Sequence, residues 1–234
     1  MALQRGGTGM TRRLTAVLLL VLLVACGGGG DGPGDDVLGP GERDDQAVAE
    51  EANLRLSDFP DEWRADPVPA GAEDATAASG RTFAACVGRP PPEEGRTALA
   101  GSEDFSSRET RRVSSSAQMV ESVEAAVADF EALRTDRALQ CRKAQIDAEF
   151  LRQLPESAPE TLIERLDLPQ FGDETVAFRV QAMSLAGGSA VRTYIDLVFV
   201  RKGRAQLSAS FIDRNTPFPA ELQRSLLQRM VGRA

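Results

Sequence analysis

The sequence predicts an α+β fold, a single domain in which a twisted antiparallel sheet, a meander in its last strands, is flanked by helices. Runs in the last third of the chain alternate apolar and polar residues with the period of two that strands require. Other stretches carry apolar residues every three or four positions, the spacing of a helix face. Hydrophobic residues make up 42% of the 234 residues, enough for the core of one or at most two domains.

Residues 1–25 have the layout of a bacterial export signal. Arg12 and Arg13 precede an apolar run over 14–24. This run is shorter than the roughly 20 residues of a membrane span, but it suits a signal peptide. It ends in Leu23-Val24-Ala25-Cys26, the lipobox pattern of lipoprotein signals, in which the cysteine is acylated and becomes the first mature residue. We therefore expect Cys26 to carry lipid; the alternatives are an ordinary signal peptide or a transmembrane anchor.

Residues 26–49 are predicted to be the lipidated cysteine and a flexible acidic tether. Gly27 to Gly30, two prolines and six acidic residues leave little apolar surface to bury. A calcium-binding loop is the alternative, but the acids lack the alternating ligand spacing of such loops. The folded domain is predicted to occupy 50–234.

The first half of that domain shows weaker patterns. Residues 54–63 are expected to be extended, with Trp63 in the core rather than in a ligand platform. A short helix is predicted over 74–87, because Gly88 and the prolines after it would end it. Residues 88–104 are expected to form a polar loop.

The middle of the chain combines a strand and a long helix. Alternation predicts a strand over 112–120, and Ser122 is positioned to cap the helix after it. That helix is expected to run to Leu151, or to break near Lys143 and continue as a strand.

The last third gives the clearest pattern. Glycines are placed for hairpin turns at 187–188 and 202–203, and a final helix begins after Pro217 or Pro219. The predicted strands are 162–166, 175–185, 191–201 and 205–212.

Two cysteines remain once Cys26 is committed to lipid. Cys86 and Cys141 both fall on apolar sides of predicted helices, and an even pair in an oxidising compartment favours a disulfide. The alternative is two buried free thiols.

Several classes of function are disfavoured by composition. The chain has no histidine, which rules out serine–histidine and cysteine–histidine catalysis. Its net charge is −8, and residues 26–234 carry −11 without the three arginines of the signal, so nucleic-acid binding is not expected. No cofactor or metal site is predicted. Two-carboxylate hydrolysis stays open, through Asp173, Glu174 or Asp196, although we expect Asp196 to pair with Arg179 or Arg192.

A set of features spread over about 55–232 matches a known group of proteins. They are Leu56, Phe59, Pro60 and Trp63; Cys86; Val113, Val120, Phe130 and Cys141; Leu168-Pro169 with Phe171-Gly172-Asp173-Glu174; and Arg201-Lys202-Gly203-Arg204. In these features the chain resembles actinobacterial cell-envelope lipoproteins related to the extracellular sensor domain of a mycobacterial Ser/Thr protein kinase. The resemblance implies a twisted antiparallel sheet flanked by helices, with a cleft for a ligand. The kinase domain carries two disulfides, whereas this chain has one possible pair, and no ligand motif is matched, so no binding residue carries over.

These patterns predict a non-enzymatic binding or sensing lipoprotein on the extracytoplasmic face of the cell membrane. Its partner would be an envelope small molecule, lipid or protein, bound between the sheet and its helices. Arg179, Arg192 and Tyr194 are the candidate polar contacts, chosen from their strand positions. The alternatives are a protein-interaction module of an envelope complex and an unrecognised hydrolase.

Overall fold

The computed structural model describes residues 40–107, 110–153, 159–186 and 189–234. In these residues the chain forms five α-helices and one eight-stranded antiparallel sheet, which confirms the predicted α+β fold. The helices are α1 (Pro40–Ala52), α2 (Ala72–Val87), α3 (Val123–Leu133), α4 (Asp136–Gln153) and α5 (Ala220–Arg233). The strands are β1 (Trp63–Asp66), β2 (Arg96–Gly101), β3 (Asp104–Ser107), β4 (Arg111–Val120), β5 (Glu160–Arg165), β6 (Glu174–Ala186), β7 (Ser189–Lys202) and β8 (Ala205–Arg214).

The sheet is built around a meander. Its order is β1-β3-β4-β8-β7-β6-β5, and β2 pairs with the free part of β4. Lys202 pairs with Ala205, so a two-residue turn joins β7 to β8, and Gly203 takes the positive φ of 58° that this tight turn requires. The predicted turn at 202–203 is confirmed; the one at 187–188 lies outside the described residues.

Helices cover both faces of the sheet, which gives two separate cores. The first face packs on α1 and α5, with Val198, Phe211 and Leu226 near its centre. The second face packs on α3 and α4, with Phe178, Ile195 and Phe130 near its centre. Successive residues of a strand point to opposite faces, so β7 contributes side chains to both cores. Helices cover its face of mixed polarity as well as its apolar face.

The predicted tether is wrong over its second half, because 40–49 belong to helix α1. Ala49 is 1% exposed and packs in the first core. Asp45 is also buried, where it bonds Arg204 at 2.5 Å and Thr97 at 2.5 Å. Asp44 is exposed while Asp45 and Ala49 are buried, so 40–49 belong to an amphipathic helix and not to a solvated spacer. Residues 26–39, and with them Cys26, lie outside the described residues.

Three other predictions in the first half need correction. Residues 54–63 are not extended: a 3-10 turn occupies Leu56–Asp58, and the first strand begins at Trp63. Residues 88–104 contain β2 and do not form one loop. The helix after Ser122 breaks at 134–135, where the Thr135 hydroxyl accepts from Ala138 N and caps α4, and no break occurs near Lys143.

Other predictions for this half are confirmed. Trp63 lies in the core, 4.7 Å from the ring of Phe59 between centroids. Ser122 caps α3 by accepting from Ala125 N. Cys86 and Cys141 form a disulfide that ties α2 to α4. In the described part of the chain, no helix has the length and hydropathy to cross a membrane.

Candidate functional site

A cavity of about 230 Å³ lies between the second face of the sheet and the helices α2 and α3. Strands β4 and β8 form its floor, and the loop after α2 forms its outer side. The site thus lies between sheet and helices, where a ligand site was expected. Its principal lining residues are Phe83, Val87, Arg89, Pro90, Pro91, Pro92, Glu94, Gly95, Ser116, Gln118, Glu121, Ala125, Asp129, Phe130, Leu133, Arg142, Phe199, Gln206 and Ser208.

The floor of this cavity is polar and uncharged. Ser116 and Ser208 are register partners on β4 and β8, and their hydroxyl oxygens lie 2.8 Å apart. The next pair on the same face is Gln118 with Gln206, and the Gln118 side-chain amide donates to the Gln206 side-chain oxygen at 2.6 Å. The Gln118 Oε1 atom is buried without a hydrogen-bond partner among the described residues. A buried acceptor in this state favours an incoming donor, because leaving it unpaired costs about 1–3 kcal/mol.

The walls are apolar and aromatic, with one buried cation. Phe83, Phe130 and Phe199 come from α2, α3 and β7. The Arg142 side chain, 1% exposed, places its guanidinium 3.9 Å from the centroid of the Phe83 ring. Its Nη1 atom donates to Gln145 Oε1 at 2.9 Å. Such cation–π stacking fixes the wall that α2 contributes.

The rim of the cavity is acidic. Asp129 accepts from Gln206 at 2.9 Å and pairs with Arg89 at 2.8 Å, which neutralises its charge. Glu94 and Glu121 are exposed at the outer side of the cavity, where Glu121 lies against Gly95. The opening is therefore negative, while the floor carries no formal charge.

The three residues chosen from strand position lie elsewhere. Arg179 makes a two-bond ion pair with Asp196, each bond 2.7 Å long, and Gln223 of α5 also donates to that carboxylate at 3.2 Å. Arg192 is exposed, and its Nη1 atom lies 3.4 Å from the hydroxyl oxygen of Tyr194. All three side chains lie on the same sheet face as Asp196, the face that α5 covers. None of them lines the cavity. The predicted pairing of Asp196 with Arg179 is confirmed.

The acidic residues considered for hydrolysis are held in ion pairs. Arg201 contacts Asp173 at 3.0 Å and Glu174 at 2.7 Å, and Arg134 also reaches Glu174 at 2.8 Å. Within 40–107, 110–153, 159–186 and 189–234, no group of three or more acids or cysteines is arranged to hold a metal ion.

A second cavity, of about 470 Å³, lies between α2 and α4. Arg142 lines both cavities, so this one side chain is shared between them. The second cavity is lined mainly by small or exposed helix residues, including Ala75, Ala78 and Arg152, and it lacks the polar floor of the first.

Two features of the site were missed by the sequence analysis, although each left a signal. Arg142 occupies the buried stripe of α4 between Ala138 and Ile146, at spacings of four residues, and a charged residue on such a stripe is unusual. On β8, polar residues at 206, 208 and 210 alternate with apolar ones. This alternation indicates a polar surface on the second face.

Comparison with known proteins adds no relative: no protein-family model matches the chain, and a search of curated proteins finds no match.

Proposed function

We propose that this chain is a lipid-anchored, extracytoplasmic binding or sensing protein without enzymatic activity, and that its ligand occupies the 230 Å³ cavity over β4 and β8. The anchor is supported by the order of the basic residues, the apolar run and the lipobox ending in Cys26. The lipoprotein resemblance of the sequence agrees with the same assignment.

The observation that carries the binding function is the composition of the cavity. Aromatic walls surround a floor of two serines and two glutamines, together with a buried arginine. Small-molecule sites typically combine apolar walls with a few polar groups that orient the ligand. These floor groups hydrogen-bond one another, but Gln118 Oε1 has no partner among the described residues, and a buried acceptor in that state favours an incoming donor.

The absence of catalysis is proposed from the groups that line the cavity. Asp129 is engaged by Arg89 and Gln206, and the remaining acids, Glu94 and Glu121, are exposed at the rim. Acid–base catalysis needs a group within hydrogen-bond reach of the reacting atoms, and the carboxylates that line this cavity are either paired or at its rim.

The test is native mass spectrometry of the full-length protein purified from its own membrane. We expect an additional bound mass that disappears on denaturation. Ala125→Trp, on α3 in the cavity wall, should fill the cavity and remove that mass. Ala128→Trp, on the same helix and half-buried but not lining the cavity, should retain it.

Circular dichroism of both variants establishes that they are folded. Wild-type protein that carries no bound mass, or an Ala125→Trp variant that keeps it, would contradict the binding function and favour an interaction module of an envelope complex.

A further inference from the structure

We propose that the cavity binds a neutral, hydroxyl-rich group of the glycosyl type, and that this group is the headgroup of a lipid in the membrane that anchors the protein. This inference rests on the proposed function, which it makes more specific. It follows from the size and polarity of the cavity, the charge of its rim, and the position of the cavity relative to α1.

The size of the cavity limits what enters it. Sites for drug-sized molecules are about 300–1,000 Å³. The 230 Å³ found here is smaller, so it admits a single ring or headgroup and leaves any long apolar chain outside.

The polarity of the floor selects hydroxyl groups. Serine hydroxyls and glutamine amides both donate and accept hydrogen bonds and carry no charge. Sugar hydroxyls have the same dual capacity, and the unpartnered Gln118 Oε1 atom is an acceptor for one of them. The apolar face of the ring would pack on Phe83 or Phe199, as the aromatic walls require.

The rim disfavours an anionic headgroup. Glu94 and Glu121 stand at the opening, and residues 26–234 carry a net charge of −11. This field repels a phosphate that approaches the cavity. The two arginines that line it are engaged already, Arg89 with Asp129 and Arg142 with Phe83 and Gln145, so an uncharged group is favoured over a phospholipid headgroup.

The position of α1 brings the opening close to the anchor. Asp45, in the first half of α1, bonds Arg204, and Arg204 in turn donates to the Val120 carbonyl oxygen at 2.9 Å. Val120 and its neighbour Glu121 line the outer part of the cavity. The first turns of α1 and the cavity rim therefore lie at the same end of the sheet.

The chain between anchor and helix is short. Thirteen residues separate Cys26 from Pro40, instead of the 23 that a tether ending at residue 49 would provide. Even fully extended they span at most about 45 Å, so the start of α1, and with it this end of the sheet, stays within reach of the bilayer surface. A lipid headgroup is consequently available to the cavity at a high local concentration.

The experiment uses full-length acylated protein in phosphatidylglycerol vesicles that contain a photoreactive glucosyl-diacylglycerol. Parallel samples contain photoreactive phosphatidylglycerol, or a soluble photoreactive alkyl glucoside at the same total concentration. The diazirine is placed beside the glycerol in both lipids and in the alkyl group of the glucoside. Peptide mapping then locates the cross-links. We expect the glucosyl lipid to label peptides of the cavity, and the other two probes to label them weakly.

The floor is tested by a matched pair of double variants. Ser116→Ala with Ser208→Ala removes the hydroxyls of one rung and should reduce labelling by the glucosyl lipid about tenfold. Ser114→Ala with Ser210→Ala alters the adjacent rung of the same two strands, on the same face but outside the cavity, and should leave labelling unchanged.

Each other outcome has a defined meaning. Equal labelling by the soluble glucoside would show that the source is a free sugar, and equal labelling by phosphatidylglycerol would contradict the charge selection; either result overturns the inference. If no probe labels the cavity while native mass spectrometry still finds a bound mass, this inference fails and the binding function stands. If that mass is absent as well, both fail.

Discussion

Asp196 is an acidic residue at the centre of a buried strand, and its burial is compensated mainly by one partner, Arg179. Its side chain is 1% exposed, and Arg179, 20% exposed, supplies two hydrogen bonds to it. Arg179→Ala leaves this carboxylate buried with only the Gln223 contact, so we expect the free energy of unfolding to fall by about 3 kcal/mol. Arg192→Ala, at an exposed position on the neighbouring strand, should change it by less than about 0.5 kcal/mol. Urea unfolding measures both, and losses of equal size would contradict this role of the ion pair.

Asp104 gives the folded state a pH dependence of the opposite sign to that of most acids. Burial raises its pKa from 3.8 to about 6, Arg112 opposes this, and Asp66 adds to it. Because the folded state holds the proton more strongly, this contribution is present below about pH 4 and is lost as pH rises through about 6. Asp104→Asn should therefore become more stable relative to wild type between pH 4 and pH 7, as measured by thermal unfolding at several pH values.

The control for Asp104 is Ser107→Ala, a buried position on the same strand that carries no titratable group. Its stability difference from wild type should stay flat over the same pH range. A flat difference for Asp104→Asn too would show that Asp104 is hydrated in solution.

The sequence predicts the contacts of some residues correctly and those of others wrongly. The pairing of Asp196 with Arg179 was predictable, because residues opposite each other on adjacent strands must meet once the register is known. The ligand role assigned to Arg179, Arg192 and Tyr194 followed from strand position alone, and strand position does not say which face encloses a cavity. That depends on how α2 and α3 pack, which is a tertiary property.

At the scale of elements, α1 shows how composition can mislead. Its glycine-, proline- and acid-rich surroundings resemble a spacer, yet Ala49 and Ala52 are almost completely buried. Ala49→Asp would bury an unpaired charge, so we expect the free energy of unfolding to fall by about 3 kcal/mol. Ala47→Asp, on the exposed side of the same helix, should have little effect. If 40–49 were a solvated spacer, both variants would unfold at the wild-type urea concentration.

The elements that were predicted correctly have strong local signals. Strands β6 to β8 alternate over ten or more residues, and glycine fixes the turn at 203. By contrast, β2 is short and irregular in register at its start, and its pairing with β4 comes from distant residues. The break between α3 and α4 had a local signal in Thr135-Asp136, a capping residue followed by an acid, but the continuous apolar stripe obscured it.

At the scale of the whole molecule, the helices that cover both faces of the sheet determine where a cavity forms. The first face is filled by side chains of α1 and α5, and its buried carboxylate, Asp196, is held in an ion pair with Arg179. On the second face, aromatic residues of β6 and β7 pack on α3 and α4, while the serines and glutamines of β4 and β8 leave room under α2 and α3. The alternation of residues in one strand reveals its two faces. Locating the cavity also requires the strand order, in which β4 lies beside β8.

In the proposed function, the position of the molecule in the cell depends on Cys26. We expect Cys26→Ser to abolish acylation and to move the protein from the membrane pellet to the soluble fraction, because each buried acyl CH₂ contributes roughly 0.8 kcal/mol to membrane binding. Metabolic labelling with an alkyne fatty acid, followed by fractionation, measures both effects. Gly30→Ser, outside the lipobox, should remain labelled and pelleted. A Cys26→Ser protein that still carries label and pellets with the membrane would remove the anchor from the proposed function, and with it the short span that places the cavity near lipid headgroups.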